Sequence, residues 1–377
     1  MKILYLTLWD FEDSESNGVC KKIKAQINAF EQAGFQTDLI YFQGDTVIYK
    51  KNEKKYPLFR VKYYQKLFSW IKLFKYIKSQ KYDWIYNRYE KMNPFSFRVL
   101  QHLRKNSSGL LIEIPTYPYA SDQGTGIIYQ IMYKLDDIYS KKLKQIVTRV
   151  VTFSKYEKIF DIPTIKTING IELTEIRPVS PVKYKEDTIR LLVVAVMQKR
   201  HGYERLLLGL KNYYEKGGNR SIICHFVGDG PQKKVYEAIV NKYDMQDNVI
   251  FYGLKKTIEL DEIYEKIDIG IGVLGIHHDG ALLSSDLKSR EYLAKGIPVI
   301  GCQVDLFVDN PQPFYLDMPL NDTAIDIDQV VTFYDSIYRN REREEVIATI
   351  RSFAEVTIDM PETMKPVISY MNLIGNV

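Results

Sequence analysis

The stretch Ser285-Asp-Leu-Lys-Ser-Arg-Glu-Tyr-Leu-Ala-Lys-Gly-Ile-Pro-Val-Ile300 decides how this chain is read. Ser284 or Ser285 can cap a helix beginning near Asp286, because a serine hydroxyl accepts one of the free N–H groups at a helix start. Gly296 supplies the stop, and the apolar run behind it reads as a buried strand. An ordinary amphipathic helix explains Gly296 and that strand. It does not explain an acid, Glu291, one turn in from a cap that carries Leu287 and Lys288. Free N–H groups at a helix start attract a phosphate, and a carboxylate one turn deeper can accept two hydrogen bonds from the vicinal hydroxyls of a ribose.

Outward from this helix the same alternation repeats. The second half reads as strands at 189–196, 223–227, 249–252, 267–273 and 298–302, with helices at 203–215, 232–243, 257–266 and 286–295 between them. The first half gives strands at 2–7, 36–41, 84–86, 110–113 and 150–153. Its clearest helix starts at Asn17-Gly18, carries Ile23, Ile27, Phe30 and Ala33 at helical spacing, and stops at Gly34. Strands joined by crossover helices make parallel sheets. A polar stretch with two prolines, Arg177-Pro-Val-Ser-Pro-Val-Lys-Tyr-Lys-Glu-Asp187, separates the halves. With 377 residues the chain exceeds what one core serves, about 250–300 residues. The expected domains are 1–180 and 181–350, with a helical tail, 351–377, interrupted by Pro361 and Pro366 and packing back on the first domain.

Composition narrows the function classes. The three cysteines, Cys20, Cys224 and Cys302, are far apart, form no CxxC pair, and read as reduced thiols. The apolar start is too short for a signal peptide, and no apolar run reaches the about 18–20 residues of a membrane span, so a cytoplasmic location is expected. A net charge of +5 does not point to nucleic acid. The charge is uneven, however: residues 50–82 hold eleven Lys or Arg against Glu53 alone, interleaved with aromatics. Leu67, Trp70, Ile71, Phe74 and Ile77 in this stretch have helical spacing, which predicts a helix able either to pack in the core or to lie on an anionic membrane.

Ligands of open parallel sheets bind beyond the carboxyl ends of the strands, which selects a few loops. Gly18 opens the helix after the first strand and permits close approach to the backbone. Lys199 and Arg200, after the first strand of the second domain, can neutralise a diphosphate; a cation-rich surface turn would look the same. Gly228-Asp-Gly-Pro231 makes a tight strand-to-helix turn. No Asp-x-Asp stands at a convincing strand end, since Asp326-Ile-Asp328 begins a helix, so a divalent metal is not expected; separately, no cofactor is expected.

The stretch from Lys288 to Ile300 resembles the signature helix of glycosyltransferase family 4, retaining enzymes of the GT-B fold. Asn17-Gly-Val19, Thr152-Phe-Ser-Lys155, Ile168-Asn-Gly-Ile-Glu172, Lys199-Arg-His-Gly-Tyr203, Val227-Gly-Asp-Gly-Pro231 and Val249-Ile-Phe-Tyr-Gly253 resemble the same family in the same order. The resemblance implies two Rossmann-like α/β domains whose parallel sheets face a central cleft. It implies that Glu291 holds the donor ribose, that Lys199 contacts the diphosphate, that Leu287 and Lys288 supply backbone donors, that Gly18 lies in a loop closing over the phosphates, and that Gly253 meets the nucleobase. Glu113-Ile-Pro-Thr-Tyr-Pro-Tyr119 resembles a sequence from surface-polysaccharide gene clusters. It makes Thr116 and Tyr117, with Arg88 and Glu113 beside them, candidates to position the acceptor or the transferred sugar.

One position departs from the pattern: the family's first glutamate falls on Leu283. Asp279 is the nearest preceding acid and a candidate donor contact, with His277 and His278 as alternatives. The function implied is retaining transfer from a nucleoside-diphosphate sugar to the hydroxyl of a saccharide acceptor, with a polyprenyl-linked one expected, and with Lys199, Arg200 and Glu291 central to it. The alternatives are a non-catalytic partner subunit of the same fold and a sugar-nucleotide epimerase.

Overall fold

The structure is a computed structural model that describes residues 1–11, 18–62, 68–115, 117, 126–181 and 188–375. The chain forms two compact units, Met1–Gly170 with Met360–Val377, and Ile171–Asp359.

The first unit is built on strands β1 (Lys2–Asp10), β2 (Gln36–Gln43), β3 (Thr46–Lys51), β4 (Lys54–Arg60), β5 (Trp84–Arg88), β6 (Gly109–Ile114), β7 (Arg149–Thr152), β8 (Lys158–Ile159) and β9 (Ile162–Lys166). They pair in the order β4-β3-β2-β1-β5-β6-β7-β9-β8, parallel from β2 through β9. The central strands are apolar on both faces. Leu4, Leu6, Ile85 and Ile112 enter one core and Ile3, Tyr5, Tyr86 and Leu111 the other, as a side-chain period of two requires. The helix Gly18–Gln32 covers the second face through Ile23, Ile27 and Phe30; Ala33 lies exposed beyond its end, and Phe35 packs instead.

The stretch 50–82 departs from its expected form. Lys54–Arg60 is an edge strand, antiparallel to β3 across a two-residue turn at Asn52 and Glu53, both at positive φ. Pro57 is tolerated there because an edge strand can spare an N–H, and its lysines keep the edge from pairing further. The helix is only Ser69–Ile77; Trp70, Leu73 and Ile77 are buried in the core while Ile71 is exposed. Leu67 lies outside the described residues.

The second unit has strands β10 (Thr188–Val194), β11 (Ser221–Val227), β12 (Val249–Gly253), β13 (Ile269–Ile271), β14 (Val299–Gly301) and β15 (Tyr315–Asp317), in the order β12-β11-β10-β13-β14-β15. Every pairing is parallel. The helices Glu204–Glu215, Lys233–Lys242, Thr257–Tyr264 and Leu287–Ala294 connect them. Short β15 carries little apolar pattern and escapes the sequence reading.

The units divide the chain at other points than 180/181 and 350/351. Arg351 donates to the carbonyls of Leu173, Ile176 and Ala294, and Ile171 N donates to Ile358 O at 2.9 Å, which fastens the 171–176 segment within the second unit. The helix Arg343–Thr357 runs through position 351 unbroken. The next helix, Met360–Gly375, begins with Pro361 in its first turn, where no N–H is needed, and Met360, Met364, Val367 and Met371 join the core around Phe30. No helix of the described residues is long and apolar enough to cross a membrane.

Candidate functional site

In the second unit β10 and β13 are neighbours, with β11 and β12 to one side and β14 and β15 to the other, so the strand order reverses between them. The loops leaving their carboxyl ends therefore open a crevice at a topological switch point. The two loops meet backbone to backbone: a Cβ on Gly202, whose φ is +63°, would lie 2.7 Å from Gly275 N. Leu274 N donates to His201 O at 2.9 Å across the same seam.

Lys199, Arg200 and His201 form one turn of 3-10 helix on the first loop. Lys199 and Arg200 are exposed, and Arg200 Nη1 stands 3.7 Å from Asp279 Oδ2 on the second loop. His201 is buried. Its Nδ1 accepts the backbone N–H of Gln198 at 3.2 Å, and burial, reinforced by Lys288 and Arg200, holds its pKa down to about 3, so the ring is neutral. The sequence alone marks His201 only as a member of the stretch Lys199-Arg-His-Gly-Tyr203.

The helix Leu287–Ala294 is capped by Asp286, not by Ser284 or Ser285. Its Oδ1 accepts from Ser289 N at 2.9 Å and from Ser289 Oγ at 3.0 Å, while Ser284 Oγ donates to Oδ2 at 2.8 Å. A carboxylate suits this place better than a hydroxyl because it also meets the positive end of the helix dipole. The spacing Asp-x-x-Ser was the available signal. Arg290, wholly buried, pairs with Asp305 at 2.5 Å and anchors the first turn from below. The N–H groups of Leu287 and Lys288 have no acceptor among the described residues. Lys288 is partly buried; burial lowers its pKa to about 8, Arg200 adds to the fall, and Asp286 and Glu291 oppose it. Glu291 is partly exposed one turn in, within electrostatic reach of Lys288 and Tyr264.

Gly228 and Gly253 lie side by side at the ends of β11 and β12, with Gly228 N donating to Gly253 O at 2.8 Å. Gly228 is demanded by packing alone, since at φ +120° its Cβ would fall 2.0 Å from Ala195 O. Gly253 faces open space, next to Leu254, which is 77% exposed.

Among the first unit's candidates, Gly18 opens its helix as expected, Thr116 lies outside the described residues, and Tyr117 is half-buried, edge-on to Tyr156 with ring centroids 5.1 Å apart. Glu113 is fully buried, with both carboxylate oxygens engaged by protein groups. Its Oε1 is 2.7 Å from Arg88 Nη1 and 3.2 Å from Lys22 Nζ, and its Oε2 accepts from Tyr86 Oη and Gln26 Nε2, each at 2.7 Å. Burial pushes this carboxyl up, but Lys22, Arg88, Tyr86 and Gln26 together bring it down to about 2. Glu113 thus positions Arg88. Lys22 and Gln26 were missed, although a polar i,i+4 pair between Ile23, Ile27 and Phe30 marks a buried polar site.

The family of glycosyl transferases group 1 matches residues 177–272. No curated protein matches the sequence. Among solved structures, the chain is similar to sucrose-phosphate synthase from Thermosynechococcus elongatus, with 17% identity, all of both chains covered and a TM-score of 0.64. A glycosyltransferase from Rickettsia africae is 13% identical over 99% of this chain and 98% of its own, with a TM-score of 0.65. HepE of Anabaena, solved with UDP and glucose, is 11% identical over 99% of this chain and 100% of its own, with a TM-score of 0.57. The protein therefore has the fold of GT-B glycosyltransferases, two Rossmann-like units with parallel sheets, and its residues 177–272 match glycosyl transferases group 1.

Proposed function

We propose that the protein is a retaining glycosyltransferase of family 4 type, transferring a sugar from a nucleoside-diphosphate sugar to a saccharide hydroxyl in surface-polysaccharide synthesis. The observation that carries it is the start of the helix Leu287–Ala294, where two N–H groups without acceptors stand beside the Lys288 ammonium and near Arg200 at the switch point. That combination selects a polyanion. HepE, of the same fold, was solved with UDP and glucose, which supports the choice of ligand class.

In this reading the N–H groups of Leu287 and Lys288 bind the diphosphate, Glu291 accepts from the ribose hydroxyls, and the backbone at Gly228 and Gly253 borders the base. Asp279 contacts the donor sugar, and Gly18 lies in the loop that covers the phosphates. The acceptor oxygen attacks the anomeric carbon from the face that the diphosphate leaves. The carbon–oxygen bond to phosphate breaks with its electron pair going to the diphosphate, Lys199 and Arg200 stabilise that charge, and a diphosphate oxygen takes the acceptor's proton. No metal enters this step. Arg88, Thr116 and Tyr117 belong to the acceptor side.

The test is nucleotide release from a panel of nucleoside-diphosphate sugars with saccharide acceptors, with the product anomer read by NMR. Lys199→Ala or Glu291→Ala should lower turnover on the order of a hundred- to a thousandfold. Full activity in either variant refutes the assignment. A polyprenyl-linked acceptor at the inner membrane face is part of the proposal. Its support is the exposed set Phe68, Ile71 and Tyr76 with Lys72 and Lys75, because the rest of that helix is spent on the core. Failure to sediment with anionic vesicles at low salt removes this part alone.

A further inference from the structure

Three side chains outside the proposed chemistry converge on one point. His277 Nε2 lies 2.9 Å and His278 Nε2 2.6 Å from the same atom, Asp322 Oδ1, although Asp322 follows them by more than forty residues. They form a group whose donor atoms all lie within 4.8 Å of one another. Two imidazoles and one carboxylate, with open positions beyond them, are a donor set for a divalent transition metal.

The hydrogen bonding of His278 sharpens this. Its Nδ1 is 3.1 Å from Lys199 O, and a carbonyl only accepts, so Nδ1 carries the hydrogen. In the neutral ring Nε2 then turns a lone pair toward a carboxylate oxygen, acceptor against acceptor. Either a second proton on the ring or a metal ion between the two atoms resolves the conflict, and an imidazole that donates its other N–H to a carbonyl is the usual orientation of a metal-bound histidine. The His277 and His278 rings are 4.4 Å apart between centroids, so a single divalent ion serves both where two imidazolium charges would repel.

The frame beneath is rigid. Arg205 is buried and bridges both segments, its Nε donating to Thr323 O at 2.8 Å and its Nη1 to Leu274 O. An ion about 2.1 Å from each of its donors in a tetrahedron needs them about 3.4 Å apart, so the Asp322 carboxylate must draw back from both rings by somewhat under about 1 Å. That side chain is 73% exposed and free to do so.

We infer that His277, His278 and Asp322 form a zinc-class metal site that clips the loop after β13 to the segment after β15 and, through the Lys199 carbonyl, steadies the turn Lys199–His201. The site takes no part in breaking the donor's bond. Only its effect on that turn rests on the proposed transferase reading; the metal site stands without it.

The experiment is equilibrium dialysis of tag-free, chelator-treated protein against zinc chloride, and against cobalt chloride with visible absorption as the readout of imidazole ligation. One equivalent of zinc, with a visible cobalt spectrum and no magnesium uptake, is expected. His278→Gln and Asp322→Asn should each weaken zinc binding by at least tenfold, while His102→Gln, another partly exposed histidine, leaves it unchanged. Both ligand substitutions lie at or near the surface, and an unaltered melting temperature in chelator shows that the variants are folded. Absence of stoichiometric zinc, or equal binding by Asp322→Asn and the parent, overturns the site. Loss of transferase activity with zinc binding intact speaks only against the proposed function.

Discussion

The carboxylate of Asp286 takes the backbone N–H of Ser289 at 2.9 Å and so caps the helix at its third residue, leaving the two N–H groups before it open. The anion-binding geometry proposed for this helix depends on that one bond. Asp286→Ala should cost about 1–2 kcal/mol from the lost cap, seen as a lower midpoint in urea unfolding, and should weaken nucleoside-diphosphate binding. Ser285→Ala should cost clearly less. Equal effects would return the cap to the serine.

Lys288 ties the site to pH. Its burial-lowered pKa of about 8 leaves it charged at pH 7, and the charge disappears as pH rises through 8. Nucleoside-diphosphate affinity measured by calorimetry should therefore fall from pH 7 to pH 9 by at most about tenfold, about 1.4 kcal/mol, because the charged fraction of a group with that pKa falls by that factor. Lys288→Arg keeps its charge throughout and should flatten the curve. An equally steep curve in that variant rules out Lys288 as the titrating contact.

Glu113 governs the stability of the first unit. Glu113→Gln leaves Lys22 and Arg88 buried without their counter-charge and should cost roughly 3–5 kcal/mol. The sign with pH follows from the depressed value: the carboxylate's stabilisation is complete above its ordinary range, near 4.5, and is lost as pH falls toward about 2. Acid unfolding of the parent should be steeper than that of the variant over this window, by circular dichroism.

Gly228 tests the turn between β11 and its helix. Gly228→Ala combines a positive φ with a Cβ placed 2.0 Å from Ala195 O, and the backbone strain alone is about 1–3 kcal/mol. Gly253→Ala, equally at positive φ but facing open space, should destabilise less in thermal melts. The difference measures the close approach of the two loops.

Much of the local structure around the proposed donor site was legible in the sequence because its signals are local. The turn at Lys199 and the glycines at 228 and 253 sit at or just past the ends of apolar strands, and the helix Leu287–Ala294 carries its own cap and stop signals. The stretch Lys54–Arg60 was not legible. It is an exposed edge strand without apolar alternation, and its neighbours Trp70 and Ile77 lent it a helical pattern. Glu113 was legible as an important acid but not as a buried one, since its four partners come from a neighbouring strand and a helix far from it in the chain.

The amino-acid sequence by itself determined the two alternating α/β halves, their parallel sheets and the basic helix start, since each follows from side-chain periodicity over a few residues. Only the tertiary structure decided that Asp286 and not a serine caps that helix, that Arg351 fastens residues 171–176 within the second unit, and that Asp322 meets His277 and His278. These depend on which surfaces lie within a few ångströms after folding, and chain separation does not encode that distance.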